Sequence, residues 1–176
     1  GAWRVAALSL CAPTFFTARD VLGASLAQIH GPVHGFSERF LTRVERIFDG
    51  LRPGLILERR NWNLVNSAEL HTPDPAPIRA RVGAIDPARA GAELFVRVER
   101  QTLRRLPQTG GALFTIRVWL HTLDALRDDP ARLAAFAKAW RTATPDFREY
   151  KGLGLYDELV TGFLRANGES HSVNGS

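Results

Sequence analysis

The stretch LFVRVERQTLRRLPQTGGALFTIRVWLH, residues 94–121, decides the fold. Leu94 to Leu106 and Ala112 to His121 both alternate between apolar and polar side chains, the period of a strand with two unlike faces. Between them Pro107-Gln108-Thr109-Gly110-Gly111 supplies turn chemistry, so the two runs are predicted to form a hairpin. A turn this short cannot carry the chain back to a parallel neighbour, so the pairing is antiparallel. Upstream, Leu55 to Val65 reads as a further strand, which makes a three-strand meander.

Moving outward, the residues before the meander read as one strand and then helices. Trp3 to Cys11 is rich in small and branched apolar residues and stops at Pro13, which suits a strand buried on both faces. Asp20 is placed to cap a short helix whose Val21, Leu22, Leu26 and Ile29 share a face, ending at Gly31-Pro32. Ser37 offers a second N-cap, and Phe40, Leu41, Val44, Ile47, Phe48 and Leu51 form one apolar stripe closed by Gly50 and Pro53-Gly54. From Asn66 to Ala92 the prolines and weak periodicity predict a long surface loop or lid. Gly83, Gly91 and the pair at Gly110 read as turn glycines. After the hairpin, Asp129-Pro130 starts a helix carrying Leu133, Phe136 and Trp140, and Thr144-Pro145 repeats the start signal. Tyr156, Leu159, Val160 and Phe163 mark a last amphipathic segment. The class is α+β, a single domain over residues 1–166 with a polar tail, 167–176, expected to be disordered.

Composition narrows the chemistry. The chain has 176 residues, 45% hydrophobic and 23% charged, the balance of a soluble globular domain and not of a disordered one. It contains no methionine and opens at Gly1 in an apparent strand, so a piece of a longer protein is expected. The formal charge of +5 invites a nucleic-acid reading, but Lys138 and Lys151 are the only lysines and the arginines are spread among carboxylates, which disfavours one. Cys11 stands alone, so an internal disulfide, a structural zinc site or an iron–sulfur cluster is excluded for this chain. At the end of a strand it reads as a small buried hydrophobe. No apolar run approaches the ~20 residues of a membrane span, and a cytoplasmic location is expected.

The candidate chemical residues cluster on the hairpin. Strand alternation puts Leu94, Val96, Val98, Arg100 and Thr102 on one side, and Phe95, Arg97, Glu99, Gln101 and Leu103 on the other. Spacing alone favours a solvent face for the polar second set; the competing reading is a polar cavity lined by that set together with Arg117 and Trp119. His30 and His34 are four apart, but Gly31-Pro32 between them breaks the helix that a zinc pair would need. His30 then reads either as an imidazole at a helix C-terminus or as a single axial ligand to haem iron. No G-x-S-x-G, H-E-x-x-H, P-loop or G-x-G-x-x-G motif occurs. Trp3, Trp62, Trp119 and Trp140 read as core, with Trp62 the best placed to face a ligand.

Taken in order, Ile29-His30-Gly31-Pro32-Val33, Arg52-Pro53-Gly54, Asn61-Trp62, Arg97-Val98-Glu99-Arg100-Gln101-Thr102-Leu103-Arg104-Arg105-Leu106-Pro107, Phe114-Thr115-Ile116-Arg117 and Tyr150-Lys151-Gly152 resemble the haem-dependent oxidative N-demethylase family, in its haem-binding alpha subunit. The likeness runs from about Trp3 to Leu164, and the Arg-Val-Glu-Arg-Gln-Thr-Leu run is its most specific part. Three positions depart from the pattern: His34 stands where proline is expected, and Val118-Trp119 where Thr-Tyr is expected. The resemblance also implies a family N-terminal segment, which this sequence is expected to lack.

The resemblance implies a PAS-like antiparallel sheet cupped around a haem pocket, with helices on one face and a C-terminal helical segment. It implies oxidation of a small secondary amine of the dimethylamine kind with O2. Electrons would come from NADPH through FMN and a 2Fe-2S cluster on a reductase partner, and tetrahydrofolate would collect the formaldehyde. On this sequence it points to His30 as the iron ligand, with Leu26 and Ile29 beside a porphyrin face. Arg97, Arg100 and Arg117 would meet haem propionates or polarise bound oxygen. Trp62 and Phe114 would lie against the cofactor, and Glu99 would receive the ammonium, so that Glu99 and Arg117 are the catalytic candidates. Two other classes stay open: a haem-binding PAS sensor without turnover, and a basic nucleic-acid-binding domain.

Overall fold

The computed structural model describes residues 2–30 and 38–168, with the side chains of His30 and of residues 38–40 outside that description. Gly31-Pro32, His34, the Ser37 cap, the Phe40 side chain and the end of the polar tail therefore lie outside the described residues. The order is α1 (Ala18–Val21), α2 (Leu26–His30), α3 (Glu38–Asp49), β1 (Ile56–Val65), α4 (Ala76–Ala80), α5 (Ala90–Glu93), β2 (Phe95–Arg105), β3 (Ala112–Thr122), α6 (Pro130–Thr142), α7 (Pro145–Lys151) and α8 (Asp157–Ala166). The strands form one open antiparallel sheet in the order β1-β2-β3, the predicted meander. This is an α+β protein.

Turn chemistry sets the hairpin. Leu106 N–H donates to Gly111 O at 2.8 Å, and Gly110 takes a φ of 68°, which a residue without Cβ adopts at no steric cost. At the far end Leu123 N–H donates to Leu94 O at 2.9 Å. Thr102 Oγ1 meets Thr115 Oγ1 at 2.6 Å between these two contacts. All three belong to one uninterrupted register, in which Arg100 lies opposite Arg117 and Val98 opposite Trp119.

The chain forms two compact units. The first comprises the described residues up to 62 together with 69–75 and 98–119. Its N-terminal segment differs from the expected buried strand. Among the described residues Trp3 to Cys11 makes a single bridge, Arg4 with Ser25, and its residues are exposed or half-buried. The backbone of Val5 pairs with Ala24 and Gly23 instead of a neighbouring strand, so no ladder forms. Cys11 is accordingly exposed, not a buried hydrophobe. Asp20 is not the cap of its helix either: Thr17 is the N-cap, and Asp20 returns a bond to Thr17 N–H at 2.7 Å, a capping box. Gly23, at φ 78°, separates α1 from α2. Trp3 is half-buried, donating from Nε1 to Asp49 Oδ1 at 2.8 Å, against Phe48 at 5.4 Å between ring centroids and under the Arg105 guanidinium at 5.1 Å.

The second unit comprises residues 63–68, 76–97 and the described residues from 120 on, and holds most of the apolar core of the described residues. Asp129 caps α6, accepting from Ala131 N–H at 3.0 Å and Arg132 N–H at 3.2 Å, with Pro130 at the first helical position. Leu133, Phe136, Ala137 and Trp140 follow at helical spacing and all are buried. Thr144 caps α7, which ends at Gly152 with a φ of 63°. On α8 the buried stripe is Leu159, Val160, Phe163 and Leu164. Each such side chain contributes about 1.5–3 kcal/mol of transfer free energy. Of the region expected as a long loop, residues 66–75 carry no helix or strand, whereas from Ala76 on it is built from short helical turns, α4, α5 and two 3-10 turns, too short for their periodicity to be visible in the sequence. Gly91, read as a turn glycine, lies buried in α5: a Cβ there would overlap the Asp124 carboxylate, 2.6 Å from Cγ, and sit 3.0 Å from Phe163 Cε2.

Candidate functional site

The cross-strand contacts assign every hairpin side chain to a face. Because Thr102 meets Thr115, Arg117 and Trp119 share a side with Arg100, while Phe114 and Ile116 share a side with Glu99 and Gln101. On β1, Arg59 and Asn61 reach Gln101 and Glu99, whereas Glu58 reaches Arg100. The sheet of the first unit thus has a Glu99 face and an Arg100 face.

The solvent-face reading of the polar set is overturned by burial. Gln101 is 5% exposed, Leu103 8%, and Arg97, farther along the strand in the second unit, 2%. Glu99 is half-buried, and Arg100, on the other side, is exposed. The polar residues of β2 lie on its more protected side, where every donor and acceptor needs a partner.

Those partners form a chain of bonds. Arg59 Nε donates to Gln101 Oε1 at 2.5 Å, and Gln101 Nε2 donates to Glu99 Oε2 at 2.8 Å. Asn61 Nδ2 donates to the same oxygen at 3.3 Å. Leu57, Phe114 and Ile116 lie on the outer strands of the same face with exposed apolar side chains, Phe114 at 48%. A half-buried carboxylate gripped by two amides beside exposed apolar groups can attract a cation and offer apolar contact.

The Arg100 face is built differently. Arg100 donates through Nε and Nη2 to Glu58 Oε2 at 2.7 and 2.6 Å, and Arg60 lies 3.5 Å from the other oxygen. The Arg100 hydrogen bond holds the Glu58 carboxyl below its ordinary range, and Glu58 in turn raises the Arg100 guanidinium. The Arg117 guanidinium stacks over the Trp119 ring at 5.0 Å. Trp62 lies half-buried on this face by strand parity, and Trp119 is half-buried as well; of the four tryptophans expected in the core, only Trp140 is fully buried.

The structure therefore brings Glu99 and Phe114 to one face and Arg100, Arg117 and Trp62 to the other. The cavity expected from Glu99 together with Arg117 and Trp119 is divided by the sheet itself, because Arg117 and Trp119 sit at positions opposite Arg100 and Val98. His30 ends α2, and its side chain and all of His34 lie outside the described residues. Arg59 and Gln101 complete the network but were not singled out by sequence reasoning; the long connection from β1 to β2 leaves their register unreadable without the fold.

The residues of the Glu99 face fit a haem in kind. Leu57, Phe114 and Ile116 offer apolar contact to a flat macrocycle. Among the described residues no group of three His, Cys, Asp or Glu side chains could hold a metal ion, whereas haem iron asks for one protein ligand only. No helix among the described residues is long and apolar enough to cross a membrane.

An α+β sheet protein with a polar network on one face and an apolar margin is the class that fold and site define. A family model, haem-dependent oxidative N-demethylase, alpha subunit-like, matches residues 1–161. The chain belongs to that family, whose name carries haem dependence, oxidative chemistry and a place as one subunit among others.

Proposed function

We propose that this chain binds haem and oxidatively demethylates a small secondary amine of the dimethylamine kind with O2, within a PAS-like domain. Electrons are supplied by an NADPH-dependent partner carrying FMN and a 2Fe-2S cluster, and tetrahydrofolate accepts the formaldehyde on a partner. Membership of the family, together with the amide-gripped Glu99 carboxylate, carries this reading.

Haem, when bound, supplies the iron at which oxygen is reduced and the amine oxidised. The chain's own residues do the rest. Glu99 takes an ammonium N–H at a carboxylate oxygen, orients the amine and holds its proton. Leu57, Phe114 and Ile116, exposed on the Glu99 face, would give a bound cofactor apolar contact. His30, at the end of α2, supplies the imidazole to iron. Arg97, Arg100 and Arg117 are the propionate candidates; Arg100, Arg117 and Trp62 serve only a cofactor reaching the Arg100 face, whereas Phe114 serves one on the Glu99 face.

The test is the absorption spectrum of the protein reconstituted with haem, with and without dimethylamine. A Soret band that shifts with amine is expected, and a protein that takes up no haem overturns the reading. Haem uptake without formaldehyde, in the presence of a competent reductase and NADPH, would leave a sensor module instead. His30→Ala should lose the imidazole spectrum while His34→Ala keeps it. Phe114→Ala should disturb the Soret band more than Trp62→Ala, and the reverse would move the cofactor to the Arg100 face.

A further inference from the structure

The network on the Glu99 face has a direction. A guanidinium can only donate and a carboxylate can only accept, so an amide between them must turn its oxygen to one and its nitrogen to the other. Gln101 does both, with Oε1 at 2.5 Å from Arg59 Nε and Nε2 at 2.8 Å from Glu99 Oε2. Reversing the amide would set N–H against N–H and oxygen against carboxylate. Gln101 is also far more buried than Arg59, which is exposed at the start of the chain of bonds. The buried amide thus has one permitted orientation, and Arg59 selects it.

We propose that Gln101, oriented by Arg59, is the positioning residue that fixes the Glu99 carboxylate for the amine, with Asn61 as a second hold on the same oxygen. The proposal rests on the amine-binding role given to Glu99 above. A small ammonium has few groups by which to be oriented, so a carboxylate free to rotate would bind it in many poses. A carboxylate with one oxygen held by two amides presents it with one plane.

Two measurements on the full chain separate this proposal from the reading beneath it. In the haem-free protein, the side-chain amide NMR signals of Gln101 should shift on Arg59→Ala and on Glu99→Ala, and those of Asn61 on Glu99→Ala. Arg59 is exposed, so its substitution spares the fold. Gln101 signals that ignore both substitutions overturn the positioning role whatever haem does.

In the haem-loaded protein, Gln101→Leu should leave the amine-free Soret band in place and raise the dimethylamine concentration for half-maximal spectral change about ten-fold, the order expected for losing a bond to a charged group. Arg59→Ala should raise it less, and Arg59→Lys should restore most of the loss. An unchanged amine response in both Gln101→Leu and Arg59→Ala overturns the proposal. A wild-type protein that binds haem and ignores amine overturns the role of Glu99 instead, and the proposal of an amine-positioning residue falls with it even where the amide signals move.

Discussion

Thr102 and Thr115 face each other across the hairpin with their hydroxyl oxygens 2.6 Å apart, and that contact fixes which side of the sheet every neighbour takes. It separates Glu99 from Arg117, the two residues expected from the sequence to share one site. Paired threonines on neighbouring strands contribute roughly 0.2–1 kcal/mol. A double-mutant cycle of Thr102→Val and Thr115→Val, read by urea unfolding, should return a coupling in that range; no coupling would mean that the hydroxyls meet water instead of each other.

Gly91→Ala should destabilise the protein by about 1–3 kcal/mol, because the added methyl meets the Asp124 carboxylate and the Phe163 ring in a packed region. Gly83→Ala is the control, since a Cβ there meets nothing within 4 Å. Equal urea midpoints for the two variants would contradict the close approach.

Tyr156, 3% exposed, donates its hydroxyl to Asn66 Oδ1 at 3.0 Å, and burial pushes the phenol up to about 12 from 10.0. The folded state therefore favours the neutral phenol. The associated stability is fully present below pH 10 and is lost as pH rises towards about 12. Tyrosinate absorbance in a Tyr150→Phe background reads Tyr156 directly and should appear near the upper value. Tyr156→Phe should cost about 1 kcal/mol by leaving the Asn66 carbonyl oxygen without its donor.

Arg100→Gln should return the Glu58 carboxyl to its ordinary range, since the Arg100 bond is the leading cause of its depression. The depressed group favours the folded state above its unfolded pKa, and the contribution disappears as pH falls through the folded value. Carboxyl NMR of Glu58 in the two proteins checks the shift, which added salt should shrink because the pair is exposed. An unmoved Glu58 would show that the pair does not persist in solution.

How much of this was legible beforehand depended on whether a local signal set the outcome. The hairpin, β1 and the caps at Asp129 and Thr144 could be read because turn residues and N-caps act within a few positions. Trp3 to Cys11 could not: its apolar composition suits a strand, but a strand also needs a partner, and the backbone of Val5 found a loop. Asp20 was visible as a capping residue, yet its role at the third helical position follows from Thr17. The faces of β2 were assigned correctly by alternation, while which face was buried depended on what packs there. The Arg59 to Glu99 network belongs to the same category, since it joins residues about forty positions apart.

The position of β1 at an edge of the three-strand sheet has a consequence for handling the protein. The chain entering it, Leu55-Ile56-Leu57, is exposed and apolar, which on a free edge invites pairing with another molecule. Glu58-Arg59-Arg60 interrupts that run before it reaches the five to seven residues (~) that make a sticky window. The arginine that orients Gln101 is thus also one of the charges that end this apolar run. Variants of Arg59 are best compared at low protein concentration, where loss of colloidal stability is not mistaken for loss of amine binding.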